Sequence, residues 1–199
     1  AAVNCDPYSG YKSMKGKTVT IFTSILEPEL TTLNTAMKDF QSCTGVKVKI
    51  EGSNQFEALL PVRVKGGNAP DLAWIPQPGL LVKMVATGKV VPAPKAVVAN
   101  IKKYWSASWA DLGTVNKKIY AAPFGSNMKS LVWYSPKQFA KNGYTVPKTW
   151  AEMEALSDKM AANGQTAWCG GLGSGGATGW PATDWVEQMV LREYGAKVY

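Results

Sequence analysis

Polar side chains follow three predicted strands at the point where each strand ends. The β-branched or alternating runs 18–22 and 46–50 are typical of strands, and the run 71–75 is typical of a buried third strand. Ligands of open parallel α/β sheets bind beyond the carboxyl ends of the strands. The hydroxyl, amide and carboxylate groups found there suit the hydroxyl groups of a neutral sugar; they lie at Thr23-Ser24, at 51–54 and at Pro76-Gln77.

The sequence offers little for covalent or metal chemistry. Its 199 residues include no His, which excludes Ser-His-Asp and Cys-His catalysis. The acidic pair Glu152 and Glu154 opens a predicted helix, where carboxylates usually complement the helix dipole. The loop 173–176 is glycine-rich but lacks the Gly-Lys-Ser/Thr ending of a phosphate loop. With no CxxC pair either, we expect neither a cofactor nor a metal.

Aromatic residues are numerous, with eight Trp and eight Tyr. The flat apolar face of an indole ring can stack against the C–H face of a sugar, and the alternative role is core packing. Three tryptophans lie at predicted strand ends or loops, where a ligand would reach them. They are Trp74, Trp168 and Trp180.

The three cysteines indicate an oxidising compartment. Cys5 precedes the first predicted strand and Cys43 closes the first predicted helix, so a disulfide between them is geometrically reasonable. The alternative is three buried thiols. Cys169 is left without a partner in this layout; it is either free or paired with a cysteine outside these 199 residues.

The net charge of +8 raises the question of nucleic-acid binding. The lysines are dispersed, no run of five basic residues occurs, and Arg63 and Arg192 are the only arginines. We therefore expect no nucleic-acid partner and a solvated basic surface, which would also suit an anionic cell envelope. No apolar run approaches the ~20 residues of a membrane helix.

Helical and strand patterns alternate from residue 18 to residue 88, which predicts a parallel α/β sheet. Gly45 is expected to end a helix that starts near Pro28, and residues 90–110 are expected to be irregular. Later expectations are a hairpin at Asn116-Lys117, strands at 131–134 and 167–172, a helix capped by Thr149 and a last helix from Thr183 to about Tyr194.

Several short motifs resemble, in order, the landmarks of the family 1 extracellular solute-binding proteins. The segment 66–72 (GGNAPDL) resembles their GxxPDL signature. Residues 120–123 (YAAP), 131–134 (LVWY) and 146–150 (VPKTW) resemble their YALP, LYYN and PKTW landmarks. The segments 75–79 (IPQPG) and 177–185 (ATGWPATDW) look like the α-glucoside-binding subgroup. The landmarks cover the chain from about residue 18 to its end.

This resemblance implies a type II periplasmic-binding-protein-like fold with two α/β lobes joined by a hinge. Residues 1–123 would form the first lobe, and 124–199 the crossing and the start of a second, incomplete lobe, in a protein about twice this length. By position in the motifs, the expected ligand contacts are Glu27, Asn54, Phe56, Gln77, Asn127, Ser174, Gly175 and Trp180.

The implied function is capture of a sugar such as a maltose- or trehalose-like α-glucoside, and its delivery to the permease subunits of an ABC importer. The protein would be a monomer, extracellular or periplasmic, with a tether to the outer face of the cytoplasmic membrane as one arrangement. Two alternatives stay open at this point. One is a binding protein of the same fold for another solute, such as a polyol or an amino sugar; the other is a secreted glycoside-processing enzyme.

Overall fold

A computed structural model describes residues 3–199, apart from the side chains of Lys12 and Ser13. The chain divides into two compact units. The first extends to Ser126 and includes Gly175–Ala177; the second comprises Asn127–Ser174 and Thr178–Tyr199. Among the described residues, no helix combines the length and the apolar character that crossing a membrane requires.

The first unit is built on a parallel three-stranded sheet in the order β2-β1-β3, as the α/β pattern predicts. Its strands are β1 Thr18–Thr23, β2 Lys47–Gly52 and β3 Leu72–Trp74. The helices that follow them are α1 Glu29–Ala36, α2 Lys38–Thr44, α3 Phe56–Lys65 and α4 Pro78–Ala86. Beyond these lie α5 Lys95–Tyr104, α6 Ala107–Leu112 and a hairpin of β4 Thr114–Val115 with β5 Lys118–Ile119.

The core of this unit forms where α3 and α4 pack on β1. Phe22 of β1 and Phe56 of α3 are almost fully buried, with ring centroids 4.9 Å apart. Apolar residues one helical turn apart on α3 and on α4 complete this core. Because their spacing matches the helical period, α3 and α4 each bury one apolar side as helices. These residues are Leu60, Val64, Leu80 and Met84.

A disulfide fixes the N-terminal 3₁₀ helix Asp6–Met14 to α2. Cys5 and Cys43 are bonded, with Cα atoms 5.3 Å apart, which confirms the predicted pairing. Tyr8 and Tyr11 each meet the ring of Phe40 edge-on at 5.7 Å. Cys169 is an exposed free cysteine.

Asp71 connects the start of β3 to β1. Its Oδ2 accepts hydrogen bonds from the backbone N–H of Thr20 at 2.8 Å and from the Thr20 hydroxyl at 2.7 Å. These bonds stabilise the charged carboxylate and lower the pKa of Asp71. Because the pKa is lower in the folded state, the stabilisation is present above the unfolded pKa and is lost as the pH falls through the folded pKa.

We therefore expect Asp71→Asn to lower the free energy of unfolding at pH 7. The loss should be limited to about 1 kcal/mol, because solvent screens an exposed carboxylate. The difference between the variant and the parent chain should shrink below about pH 4. Urea unfolding at pH 7 and pH 3 measures both values. A difference that grows on acidification would contradict this role for the Asp71 carboxylate.

Several local predictions for this unit are confirmed, and three need correction. Gly45 ends α2 in the left-handed conformation (φ 71°), and Asn116 and Lys117 both have positive φ in the hairpin turn. The helix expected from Pro28 is instead two helices that meet at Met37. Residues 90–110 are mostly helical because Ile101 and its neighbours bury one face of α5. The third strand is a half-exposed edge strand, not a buried one.

The second unit contains three helices: α7 Pro136–Asn142, α8 Trp150–Ala162 and α9 Trp180–Tyr194. Thr149 caps α8 as predicted, because its hydroxyl accepts from the Glu152 N–H at 3.2 Å. The strands expected at 131–134 and 167–172 are absent, since a strand needs a paired neighbour and the described residues of this unit supply none. The last helix begins at Trp180, three residues before the predicted Thr183.

Candidate functional site

The three parallel strands end side by side at one edge of the sheet. Thr23, the last residue of β1, is the register partner of both Gly52 and Trp74, which end β2 and β3. Neighbouring strands lie about 4.8 Å apart, so the chain leaves all three strands within a span of about 10 Å. We call the three loops that begin there, 24–28, 53–55 and 75–77, the carboxyl edge.

The first loop holds Glu27 at the start of α1. Thr23 is buried, and its hydroxyl accepts from the Ile25 N–H at 3.2 Å, which shapes the turn out of β1. The Glu27 side chain is exposed, and its Oε2 accepts from the Thr31 N–H at 3.1 Å. A carboxylate at a helix N-terminus is electrostatically favourable. Glu27 is therefore held in place through one oxygen, and the other oxygen is suited to accept a ligand hydroxyl.

The second loop presents Asn54 but not Phe56. The Ser53 N–H donates to the Thr23 carbonyl at 2.9 Å, which continues the ladder into the loop. The side chain of Asn54 is exposed. Phe56 has 0% exposure because it lies on the inner face of α3. The ring of Phe56 is thus a core group, so we leave it out of the proposed ligand contacts.

Gly175 lies against this second loop. It has a positive φ of 52°, and a Cβ at this position would stand 2.9 Å from the Asn54 carbonyl oxygen and 2.7 Å from Gln55 Nε2. Such distances are too short for any side chain larger than hydrogen, so glycine is required for the approach. The neighbouring Ser174 belongs to the second unit, where its N–H donates to the Thr178 hydroxyl at 3.1 Å.

The third loop combines an aromatic pair with an amide. Trp74 and Phe124 stack with centroids 4.5 Å apart and an angle of 19° between their planes. Gln77 is exposed at the N-terminus of α4, where its carbonyl accepts from the Leu80 N–H at 3.2 Å. Phe124 was not predicted as a site residue, because it stands 50 residues from Trp74; its position directly after Pro123 in the YAAP landmark was the available signal.

One carboxylate expected at the strand ends is already paired. Both oxygens of Glu51 accept hydrogen bonds from Arg63, whose guanidinium also lies 4.0 Å from the centroid of the Phe22 ring. These hydrogen bonds lower the pKa of Glu51 and raise the pKa of Arg63. Glu51 therefore links β2 to α3, and Glu27 is the better candidate for a ligand contact.

The candidates in the second unit occupy separate environments. Asn127, the first residue of the second unit, is exposed. Trp180 begins α9 and is half exposed, with Lys129 Nζ 4.6 Å from its ring centroid, and Lys129 is paired with Asp184 at 3.2 Å. One face of the Trp180 ring is thus covered by a cation. Trp168 is half exposed; its Nε1 donates to the Ser157 hydroxyl at 2.9 Å, and its ring meets that of Trp185 edge-on at 5.8 Å.

Four of the predicted contacts in the first unit lie at the carboxyl edge or against it, beside Trp74. They are Glu27, Asn54, Gln77 and Gly175. The fifth, Phe56, lies in the core. Within residues 3–199 no three Cys, Asp or Glu side chains come close enough together to hold a metal ion. The arrangement offers one carboxylate, two amides and an aromatic pair. Such a set is suited to hydrogen bonds with ligand hydroxyl groups and offers apolar surface beside them.

Comparisons with known proteins match this chain to one protein family. Residues 24–199 match the family model described as bacterial extracellular solute-binding protein. The chain is 41% identical over 184 residues to the osmoprotective compounds-binding protein GgtB of Synechocystis, covering 92% of this chain and 44% of that protein. It is also 41% identical over 193 residues to the alpha-glucosides-binding periplasmic protein AglE of Rhizobium meliloti, covering 94% and 42%.

Solved structures show the same similarity in three dimensions. The solute-binding protein RafE in complex with raffinose matches with a TM-score of 0.58 at 28% identity, over 75% of this chain and 38% of that one. The galacto-N-biose-/lacto-N-biose I-binding protein of Bifidobacterium longum matches with a TM-score of 0.61 at 23% identity, over 74% and 38%. The chain thus spans less than half the length of the relatives that it matches.

Proposed function

Because the chain belongs to the bacterial extracellular solute-binding protein family, we propose that it captures a sugar outside the cytoplasm and delivers it to the permease subunits of an ABC importer. The sugar is an α-glucoside. Capture is an equilibrium binding event without catalysis, cofactor or metal. The protein works as a monomer in two lobes, with the first lobe over residues 1–123 and the second beginning at 124.

The register of the three strands is the observation that carries this proposal. Since Gly52, Thr23 and Trp74 are neighbours across the sheet, the loops that carry Asn54, Glu27 and Gln77 begin at one level. Each of the three side chains is exposed. In a parallel α/β sheet this edge is where ligands bind. The polar groups match sugar hydroxyls, and Trp74 with Phe124 offers apolar surface beside them.

Two relatives differ in what their names say they bind. The Rhizobium relative is named for α-glucosides and the Synechocystis relative for osmoprotective compounds, at the same 41% identity. The second candidate function is therefore capture of an osmoprotective solute, a class that includes polyols. We favour the α-glucoside because an aromatic pair at the carboxyl edge fits a rigid pyranose ring better than a small flexible solute. The contacts predicted at Asn127, Ser174 and Trp180 stay predictions.

Substitutions at the carboxyl edge test the proposal. The measurements use an extended chain. In it, these 199 residues are joined to the part of the Rhizobium relative that lies outside the segment matched by this chain. Glu27→Gln is expected to weaken α-glucoside binding about 10-fold or more, because it removes a charged acceptor. Asn54→Ala and Gln77→Ala should each cost about fivefold. Titration calorimetry gives the dissociation constants.

Two variants serve as matched controls. Glu29→Gln makes the same change two residues away, in the first turn of α1, and should leave the affinity within twofold. Phe56→Leu changes the core residue and should lower stability by roughly 1–2 kcal/mol without weakening binding. If Glu27→Gln, Asn54→Ala and Gln77→Ala all bind as tightly as Glu29→Gln does, the carboxyl edge is not the ligand site.

A further inference from the structure

Although the lysines are spread along the sequence without a basic run, more than half of the net positive charge of this chain lies between residues 89 and 118. This stretch holds six lysines and one acid, Asp111, in a chain whose net charge is +8. All six lysines are exposed. The ion pairs among the described side chains join Arg63 to Glu51 and Lys129 to Asp184, so none of the six is neutralised by one. We call this group the basic surface; it consists of Lys89, Lys95, Lys102, Lys103, Lys117 and Lys118.

The fold places the segment before α5 beside the β4–β5 hairpin, both in the first unit. The Ala93 N–H donates to the Ile119 carbonyl at 2.8 Å, which places the segment leading into α5 beside the hairpin strand that starts at Lys118. On α5, Lys95 and Lys102 are seven residues apart, two turns along one side of the helix. Ile101 is buried on the inner side. The basic surface therefore runs along the outer side of α5 and onto the β4–β5 hairpin.

Helix stability does not explain this placement. Lys102 and Lys103 lie in the last turn of α5, where a cation is favourable, but Lys95 is its first residue, where a cation is unfavourable.

Two exposed apolar side chains lie close by in the sequence: Val91 is 77% exposed and Tyr104 is 69% exposed. Lys103 Nζ lies 4.9 Å from the centroid of the Tyr104 ring.

This composition fits one kind of partner. Lysine is a strongly hydrated point charge, whereas the planar fork of arginine suits bidentate recognition of single phosphates or carboxylates; no arginine occurs between residues 89 and 118. Anionic lipid headgroups attract clustered lysines without fixed pairing. Tyrosine and a short aliphatic side chain beside the charges suit the boundary between headgroups and acyl chains.

We propose that the basic surface of α5 and the β4–β5 hairpin docks this chain on anionic phospholipid headgroups. Docking of this kind holds the protein at a bilayer surface whether or not ligand is bound. It is a property separate from solute capture, so it stands or falls independently of the proposed function.

Co-sedimentation with vesicles of phosphatidylglycerol and phosphatidylcholine tests the proposal. The 199-residue chain should partition onto vesicles containing phosphatidylglycerol and not onto pure phosphatidylcholine, and 0.5 M salt should release it. Lys102→Glu combined with Lys103→Glu should reduce partitioning at least about 10-fold. The matched control is Lys137→Glu with Lys141→Glu, two exposed lysines on α7, which should reduce it less than threefold. Circular dichroism verifies that both variants keep the helical content of the parent chain.

Three results would overturn the proposal. One is the absence of any preference for phosphatidylglycerol vesicles in the parent chain. Another is an equal loss in the α7 control, which would show that only net charge matters. The third is equally tight, salt-sensitive binding of the parent chain to polyglutamate, which would point to an acidic protein partner in place of lipid.

Discussion

Replacing Cys5 and Cys43 together by serine is expected to lower the free energy of unfolding by about 4 kcal/mol. The disulfide closes a loop with a sequence separation of 38. A crosslink of this span lowers the conformational entropy of the unfolded chain, which stabilises the folded state by about 4 kcal/mol. It also holds the 3₁₀ helix Asp6–Met14 against α2, where Tyr8 and Tyr11 meet Phe40. Without the crosslink, the N-terminal segment keeps these two aromatic contacts and the hydrogen bond from the Gly16 N–H to the Gly45 carbonyl at 2.9 Å.

Urea unfolding of the double variant and of Cys169→Ser measures this effect. Cys169 is exposed and free, so its replacement should change stability by less than about 0.5 kcal/mol. Treatment of the parent chain with a reductant should reproduce the loss seen in the double variant. A loss below about 1 kcal/mol in the double variant would contradict the stabilising effect assigned to the disulfide.

The second large effect concerns ligand affinity. The 199-residue chain is expected to bind α-glucosides at least about 100-fold more weakly than the extended chain. The curated relatives are more than twice as long as the segment that matches this chain, and a two-lobe receptor is stabilised in its closed state by contacts from both lobes. Loss of several hydrogen bonds at about 1 kcal/mol each amounts to orders of magnitude in the dissociation constant.

Calorimetric titration of both polypeptides with the same α-glucoside gives the ratio. The 199-residue chain should retain the circular dichroism of a folded α/β protein, so that weak binding is not a sign of unfolding. Equal affinities would mean that residues 1–199 form a self-sufficient binding module and that the proposal of a second lobe is wrong for this protein.

Local signals made parts of the first unit predictable. The run of β-branched residues in β1, the glycine at position 45 and the hairpin turn at Asn116-Lys117 are each decided within a few residues. The pairing of Cys5 with Cys43 followed from the positions of β1 and α2. The strand, the helix end and the turn need no knowledge of distant packing, and the structure confirms them together with the disulfide.

Features that depend on distant partners were predicted less well. The runs 131–134 and 167–172 have strand composition, but the described residues of the second unit offer no strand to pair with them. Phe56 was predicted as a ligand contact from its position in the family motifs; the direction of its side chain, set by the packing of α3 on Phe22, places it in the core. The stacking of Trp74 on Phe124 joins residues that are 50 apart in the sequence, and the position of Phe124 directly after the YAAP landmark does not indicate which ring it meets.

The thermal stability of the extended chain across a panel of solutes tests the central claim most directly, because only a ligand of the folded state raises the melting temperature. Maltose and trehalose at 100 times the dissociation constant should add about 2.7 kcal/mol to stability, and Glu27→Gln, which weakens binding about 10-fold or more, should remove about half of this gain or more at the same ligand concentration. Polyols and amino sugars should add little. A panel in which a polyol stabilises the protein and neither α-glucoside does so would contradict the account.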